Sequence, residues 1–281
     1  MPISLEPGSL SRRAVLKLLG AAAVGAAAGA GAYGYMYERY RLQVAREILP
    51  VSGLPDSLVG FRIGLLTDLH RSRVVPHELC DAAVSLLMRE RPDLIVLGGD
   101  YVTWGDRAFV DAAADALAPL TAPHGVFAVL GNHDDDRHMP AALERRGFAV
   151  LKDARTRIDV RAESLELAGI RFWTRQTADI AHVLNGAKGT TLLLAHDPRR
   201  LHEASALDVS LVLSGHTHGG QIVLPGLGAI AATGFPVVAG VARRESTTLF
   251  VSRGVGTVYL PVRLNCPPEV NVLTLAKVGS I

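Results

Sequence analysis

Five times between residues 61 and 218, a short run rich in Val, Ile and Leu stops abruptly at a polar cluster able to bind metal. Residues 61–67 meet Asp68-Leu69-His70, residues 93–97 meet Gly98-Gly99-Asp100, and residues 126–130 meet Gly131-Asn132-His133-Asp134. Residues 190–194 meet Ala195-His196-Asp197, and residues 209–213 meet Ser214-Gly215-His216-Thr217-His218. Runs apolar on both faces read as strands of a sheet covered on both sides. Residues 76–91 (Leu79, Ala83, Leu86, Leu87) and 106–120 (Phe109, Val110, Ala113, Leu117) carry apolar residues at helical spacing, and 139–146 reads as a shorter helix. Strand, helix, strand in that order predicts a layered α/β fold with part of its sheet parallel. Ligands of such sheets bind beyond the carboxyl ends of the strands. All five clusters sit at such ends, so they are expected to converge on one edge of the sheet. Shorter strands at 157–160, 164–173 (a hairpin through Ala168-Gly169), 221–224, 247–252 and 269–275 predict a second sheet packed face to face on the first.

The chemistry of the clusters is specific. Asp68 and His70 are two apart, as are His216 and His218, and in extended backbone such pairs project to the same side. With Asp100, Asn132 and His196 they offer two carboxylates, one amide and four imidazoles, and no thiolate. That donor set suits Mn²⁺, Fe or Zn²⁺. Seven ligands exceed what one ion with an open position takes, and fit two ions sharing a bridging carboxylate. Two dications outweigh two carboxylates, so the floor of the cleft stays positive. It attracts an anion and brings the pKa of a bound water to about 7. Two ions about 4 Å apart can hold both hydroxide and a phosphoryl oxygen, which points to in-line attack on phosphorus. Arg71 and Arg73 follow the first cluster and are candidate clamps for phosphate oxygens.

Other designs are poorly supported. The chain lacks a Gly-x-Ser-x-Gly elbow and a Walker-type Gly-Lys-Ser/Thr, and Gly226-Leu227-Gly228 opens no credible βαβ unit. The net charge of +2 is matched by Arg12, Arg13 and Lys17 against Glu6. The remainder is formally neutral, and no nucleic-acid partner is expected. Cys80 and Cys266 are too few for a disulfide framework or a cysteine zinc module, and both read as buried packing residues. Asp135, Asp136 and Asp197 read as helix-capping or first-turn charges, and Trp104 and Trp173 as rim or core.

In order and content the five blocks match the signature of the calcineurin-like metallophosphoesterases. Gly98-Gly99-Asp100-Tyr101-Val102, Gly215-His216-Thr217-His218-Gly219-Gly220-Gln221, Ser252-Arg253-Gly254-Val255-Gly256 and residues 261–269 resemble its exported YkuE/YaeI-type branch. The similarity covers nearly everything after residue 55. It implies a four-layer α/β/β/α sandwich of two packed mixed sheets flanked by helices. It implies two divalent metal ions (Mn, Zn or Fe), with Asp68, His70 and His218 on the first, Asn132, His196 and His216 on the second, and Asp100 bridging. His133 would not be a ligand but would donate toward the leaving-group oxygen, oriented by Asp134. The activity implied is hydrolysis of a phosphate mono- or diester by a metal-bridging hydroxide. Similar proteins include UDP-2,3-diacylglucosamine pyrophosphate hydrolases of lipid A synthesis, which is the alternative reading. A non-catalytic exported metal-binding protein is a third, disfavoured because His133 and Asp134 are not needed to hold metal.

Ser11-Arg12-Arg13-Ala14-Val15-Leu16-Lys17 is close to the twin-arginine export pattern, with Val15 where Phe is commonest. A weakly hydrophobic Ala/Gly stretch, residues 18–37, follows it. Residues 1–36 therefore read as a twin-arginine signal or a membrane anchor, 37–55 as a linker and 56–281 as the catalytic domain. The expected partners are the export machinery and a phosphate ester substrate, which is lipid-linked in the alternative. The expected location is the periplasm or the outer face of the cytoplasmic membrane, with the N-terminal segment offering membrane association.

Overall fold

A computed structural model describes residues 11–279; residues 1–10 of the N-terminal segment and the last two of the catalytic domain lie outside the described residues. The strands are β1 (Gln43–Val51), β2 (Arg62–Leu66), β3 (Leu94–Leu97), β4 (Val126–Ala128), β5 (Ala149–Val150), β6 (Ala154–Val160) and β7 (Glu163–Gly169). They continue with β8 (Thr190–Leu194), β9 (Leu211–Ser214), β10 (Val223–Leu224), β11 (Gly228–Ala229), β12 (Gly240–Arg244), β13 (Thr247–Val251) and β14 (Glu269–Lys277). The helices are α1 (Arg12–Met36), α2 (His77–Arg89), α3 (Val110–Leu117), α4 (His138–Glu144), α5 (Thr177–Leu184) and α6 (Leu201–Ala206). One sheet runs β1-β14-β2-β3-β4-β5 and the other β12-β13-β9-β8-β7-β6, with β10-β11 a small separate ribbon. Both large sheets are mixed: β2 to β5 are parallel and β14 opposes β2, while β13, β9, β8 and β7 are parallel and β12 and β6 opposed.

Period-2 alternation makes the layers. Along β3, Leu94 and Val96 face the second sheet while Ile95 and Leu97 face α2, α3 and α4. Along β8, Leu192 and Leu194 enter the inter-sheet core while Leu193 packs toward α5 and α6. Three apolar layers therefore separate four layers of secondary structure, which is the α/β/β/α sandwich the resemblance implies.

Three local expectations change. The five motif-bearing strands do not share one sheet. β2, β3 and β4 lie in the first, β8 and β9 are central in the second, and β14 returns to the first. A local apolar run records burial and not pairing partner. The hairpin turns at Arg161-Ala162, between β6 and β7, and not at Ala168-Gly169. Residues 43–51, within the expected linker, form β1, parallel to β14. Leu49 and Val51 enter the inter-sheet core, while the polar half around Arg46, paired with Glu90, masks the strand in the sequence.

α1 is apolar, with mean hydropathy 1.6 over its best window, and is long enough to cross a membrane. Its side chains stay outside the domain except at its end. Gly34 is buried, and a Cβ there would stand 2.5 Å from the Arg263 carbonyl oxygen. Beyond it, Glu38 Oε1 accepts the Cys266 N–H at 2.7 Å, and the Arg39 guanidinium lies over the Tyr35 and Tyr40 rings.

Candidate metal centre

Five backbone positions at this site adopt a conformation that side chains seldom take. Asp68, His70, Asp100, His216 and His218 have φ between 48° and 73°. Left-handed backbone outside glycine is uncommon and costs about 1 kcal/mol or more per residue. The pairs two apart are thus brought together by left-handed turns, not by the side-chain alternation of extended strand. The turns are held by the neighbouring strand-end loop: Asp68 N–H donates to Gly99 O at 2.9 Å and His70 N–H to Asp100 O at 3.0 Å. Two glycines make the packing this close. A Cβ at Gly131 would lie 2.0 Å from Asp100 Oδ1, and one at Gly215 2.1 Å from Asp68 Oδ2.

The donor atoms form adjoining groups. Asp68, His70 and His218 offer atoms all within 4.8 Å of one another, as do Asp100, His196 and His216, and a third set, His70, Asp100 and His133, overlaps both. Asp100 Oδ2 lies between the first two, 3.1 Å from His196 Nε2 and 3.5 Å from His70 Nε2. His70 Nε2 and His218 Nε2 stand 3.0 Å apart. His70 Nδ1 pairs with Thr103 Oγ1 at 3.2 Å and His196 Nδ1 with the Gly98 carbonyl at 2.7 Å. Such outer bonds fix the ring and leave Nε2 as the lone-pair atom. Asn132 Oδ1 is buried with no hydrogen-bond partner. Asn132 lines the same cleft as Asp100, His216 and His218. An orphaned buried acceptor of this kind fits a cation.

The electrostatics agree. Burial pushes His70 down to about 3 and His216 to about 4, and holds His218 well below its usual value. All three are neutral, as ligands must be. Burial, with Asp100 adding to it, pushes the Asp68 carboxyl up to about 6. Burial also opposes the charges of Asp100 and His196, but their attraction wins. Asp100 stays well below the carboxylate range and His196 rises to about 10. The two carboxylates thus favour positive charge at the point these groups share, whether a proton or a metal carries it.

His133 is 5 % exposed and lines the cleft beside Asp100. Its partner differs from the one expected. Asp134 accepts from the backbone N–H groups of Asp100 (2.7 Å), Tyr101 (2.9 Å) and Gly131 (2.9 Å), tying the loops after β3 and β4 together. The bond that orients His133 comes from the Trp104 backbone N–H, 3.0 Å from Nδ1. An N–H donor requires Nδ1 to be the acceptor, so the ring proton sits on Nε2. Asp134 is a brace for the site and not the orienter of His133.

Arg71 turns onto its own loop. It donates to the Ser72 and Val75 carbonyls and its guanidinium lies over the Phe109 ring. A group so engaged is a loop brace rather than a phosphate clamp. Arg73 lines a separate apolar cavity with Trp104 and Tyr259. Sequence reasoning did not find Thr103, Tyr259 or the Trp104 amide. Their one signal is proximity in sequence to Asp100 and to the 252–256 motif. Asp135 accepts from the Arg137 and His138 N–H groups and Asp197 from Arg199 N–H, as capping residues do. Cys80 and Cys266 are buried, and Trp104 and Trp173 are exposed.

The profile of the calcineurin-like phosphoesterase family matches residues 61–220. The chain belongs to that family. The metallophosphoesterase is 35% identical to the phosphodiesterase YaeI of Escherichia coli (strain K12), over 95% of this chain and 99% of that protein. It is 31% identical to the uncharacterized metallophosphoesterase YkuE of Bacillus subtilis (strain 168), over 95% and 98% of the two chains. The NAD nucleotidase NadN of Haemophilus influenzae shares the fold, with a TM-score of 0.51, 13% identity and coverage of 69% of this chain and 45% of that one. The protein is accordingly a metal-dependent phosphoric ester hydrolase.

Proposed function

We propose that this metallophosphoesterase hydrolyses a phosphate mono- or diester using two divalent cations, one on Asp68, His70 and His218, the other on Asn132, His196 and His216, with Asp100 between them. The observation that carries this reading is the convergence of the donor groups around Asp100, with the buried acceptor Asn132 Oδ1 otherwise unpartnered. When bound, the cations supply Lewis acidity, seating phosphoryl oxygens and making water nucleophilic near neutral pH. The donor chemistry favours Mn, Fe or Zn over Mg.

The chain's own part is positioning and proton placement. Thr103 and the Gly98 carbonyl fix the rings of His70 and His196. Trp104 N–H holds the His133 proton on Nε2, where it donates a hydrogen bond to the leaving-group oxygen as that oxygen gains charge. Burial lowers His133, so the ring stays neutral and acts by hydrogen bonding. Protonating Nδ1 would break the Trp104 bond.

The arginine pair Arg12-Arg13 ahead of an Ala/Gly-rich apolar helix supports export by the twin-arginine route, which carries folded, metal-loaded protein, to the outer face of the cytoplasmic membrane. Hydrolysis of p-nitrophenyl phosphate and bis-p-nitrophenyl phosphate by Mn²⁺-loaded protein tests the activity; no turnover of either ester with any of Mn²⁺, Fe²⁺ or Zn²⁺ would refute it. Protease accessibility in intact spheroplasts tests the location. A protected catalytic domain would favour a substrate made inside the cell, as in the pyrophosphate hydrolase reading.

A further inference from the structure

A second cavity, of about 580 Å³, opens beside the metal cleft, whose own volume is about 210 Å³. A volume of this size encloses a substantial organic group, in the range of about 300–1,000 Å³ found for ligand pockets. Its walls are mainly apolar: Val74, Trp104, Phe109, Val258, Tyr259 and Leu260. Val258 and Tyr259 line both cavities, so the two spaces adjoin. His133 stands on the cleft side of this boundary, its ring centroid 4.4 Å from that of Trp104, which in turn meets Tyr259 edge-on at 5.4 Å.

Two features set this mouth apart from ordinary surface. Trp104 is 66% exposed, Tyr259 78% and Leu260 59%, a contiguous apolar rim of the kind that marks a ligand or membrane contact. Trp104 and Tyr259 also hold φ of 55° and 60°, a strained state for bulky aromatic residues. The loop carrying Tyr259 and Leu260 runs directly into Val262 and Arg263, on which Gly34 of α1 packs, with Arg263 N–H donating to Gly34 O at 3.3 Å. The apolar helix therefore leaves the domain from the chain segment that forms the cavity's wall.

We propose that this cavity is a subsite for the hydrocarbon part of the leaving group, so that the enzyme takes amphiphilic phosphate esters drawn from a membrane surface. The inference rests on the phosphoesterase reading and names its substrate class. His133 Nε2 addresses the leaving-group oxygen, and what hangs from that oxygen extends past His133 into the apolar space. The rim residues meet the acyl region while α1 keeps the mouth at the bilayer.

The test uses n-alkylphosphonates, which carry the phosphoryl head and a tail but cannot be hydrolysed. Inhibition of bis-p-nitrophenyl phosphate hydrolysis by the Mn²⁺-loaded full chain is measured with butyl-, hexyl- and octylphosphonate below their aggregation concentrations. Each buried methylene is expected to tighten binding about fourfold, so Ki falls on the order of 10²-fold from butyl to octyl. Leu260→Asp and Val74→Asp, on separate loops and checked by thermal melts for folding, should each flatten that slope. A flat series in the parent protein overturns the subsite while hydrolysis itself stands. A steep series unaltered in both folded variants overturns it too, by placing the tail elsewhere. Absence of hydrolysis, by contrast, is failure of the phosphoesterase reading.

Discussion

The cleft and the apolar cavity share the walls Val258 and Tyr259, yet they are built on opposite principles. The cleft is assembled from residue types that only a narrow chemistry accepts, held in left-handed turns and tied by named hydrogen bonds. The cavity is made of Val, Leu, Phe, Trp and Tyr, any of which could serve elsewhere as packing. The difference teaches that the reaction and the choice of substrate occupy separate structures here. Changes in the first should remove chemistry for every substrate, and changes in the second should alter only which tails are preferred.

The largest effect that would test this division comes from Asp100, whose Oδ2 lies between the two donor groups. Asp100→Asn should lose bound metal and activity together, with kcat down on the order of 10³-fold, the several kcal/mol that a metal supplies to the transition state. Metal content per chain and hydrolysis are read on one sample; retained metal with full turnover would show that Asp100 is not central. His133→Ala should keep its metals and lose about 10²-fold in kcat on an ester with a poor alkyl leaving group. On a p-nitrophenyl ester, which needs little help to depart, the loss should be far smaller. An equal loss on both would move His133 out of the leaving-group role.

Metal affinity should depend on pH in a direction set by the protons that loading displaces. His196, raised to about 10, is protonated at neutral pH and must give up that proton. His70 and His216, lowered to about 3 and 4, have none to give. Affinity should therefore rise about tenfold per pH unit near pH 7 to 8, and more steeply below about 6, where Asp68 is also protonated. Titration with Mn²⁺ across that range, with released protons counted in weak buffer, checks the slope. The smallest effect is expected for Arg73→Ala. Arg73 lines the apolar cavity, so kcat/KM on bis-p-nitrophenyl phosphate should change by less than about threefold. A loss of 10²-fold would mean that Arg73 swings onto the phosphate and the two cavities are not separate in function.

How much of this was readable beforehand follows the same line. The strand runs ending at residues 67, 97, 130, 194 and 213 are legible because burial on both faces fills them mainly with Val, Ile and Leu. Asp68, Asp100, Asn132, His196 and His218 are legible because of their chemistry. The left-handed turns are not, since Asp68 and His70 look as well placed in extended chain, and the conformation depends on Gly99 and Asp100 from another strand. The partner of His133 is a backbone N–H, which leaves no trace in residue type, so residue type alone points to the adjacent Asp134. β1 hid behind Arg46 and Glu47, because an edge strand half in solvent carries no continuous apolar run. Nothing in residues 72–74, 103–109 and 257–261 announces that they come together.

The latch between Glu38 and the Cys266 amide decides where this polypeptide can be shortened. Trimming ahead of residue 33 would take away greasy helix and spare the joint. Starting instead at β1 would strip the acid from a buried amide and bare the segment leading out of Arg263. The boundary of the working enzyme is drawn by one glutamate, directly after the hydrophobic stretch has ended.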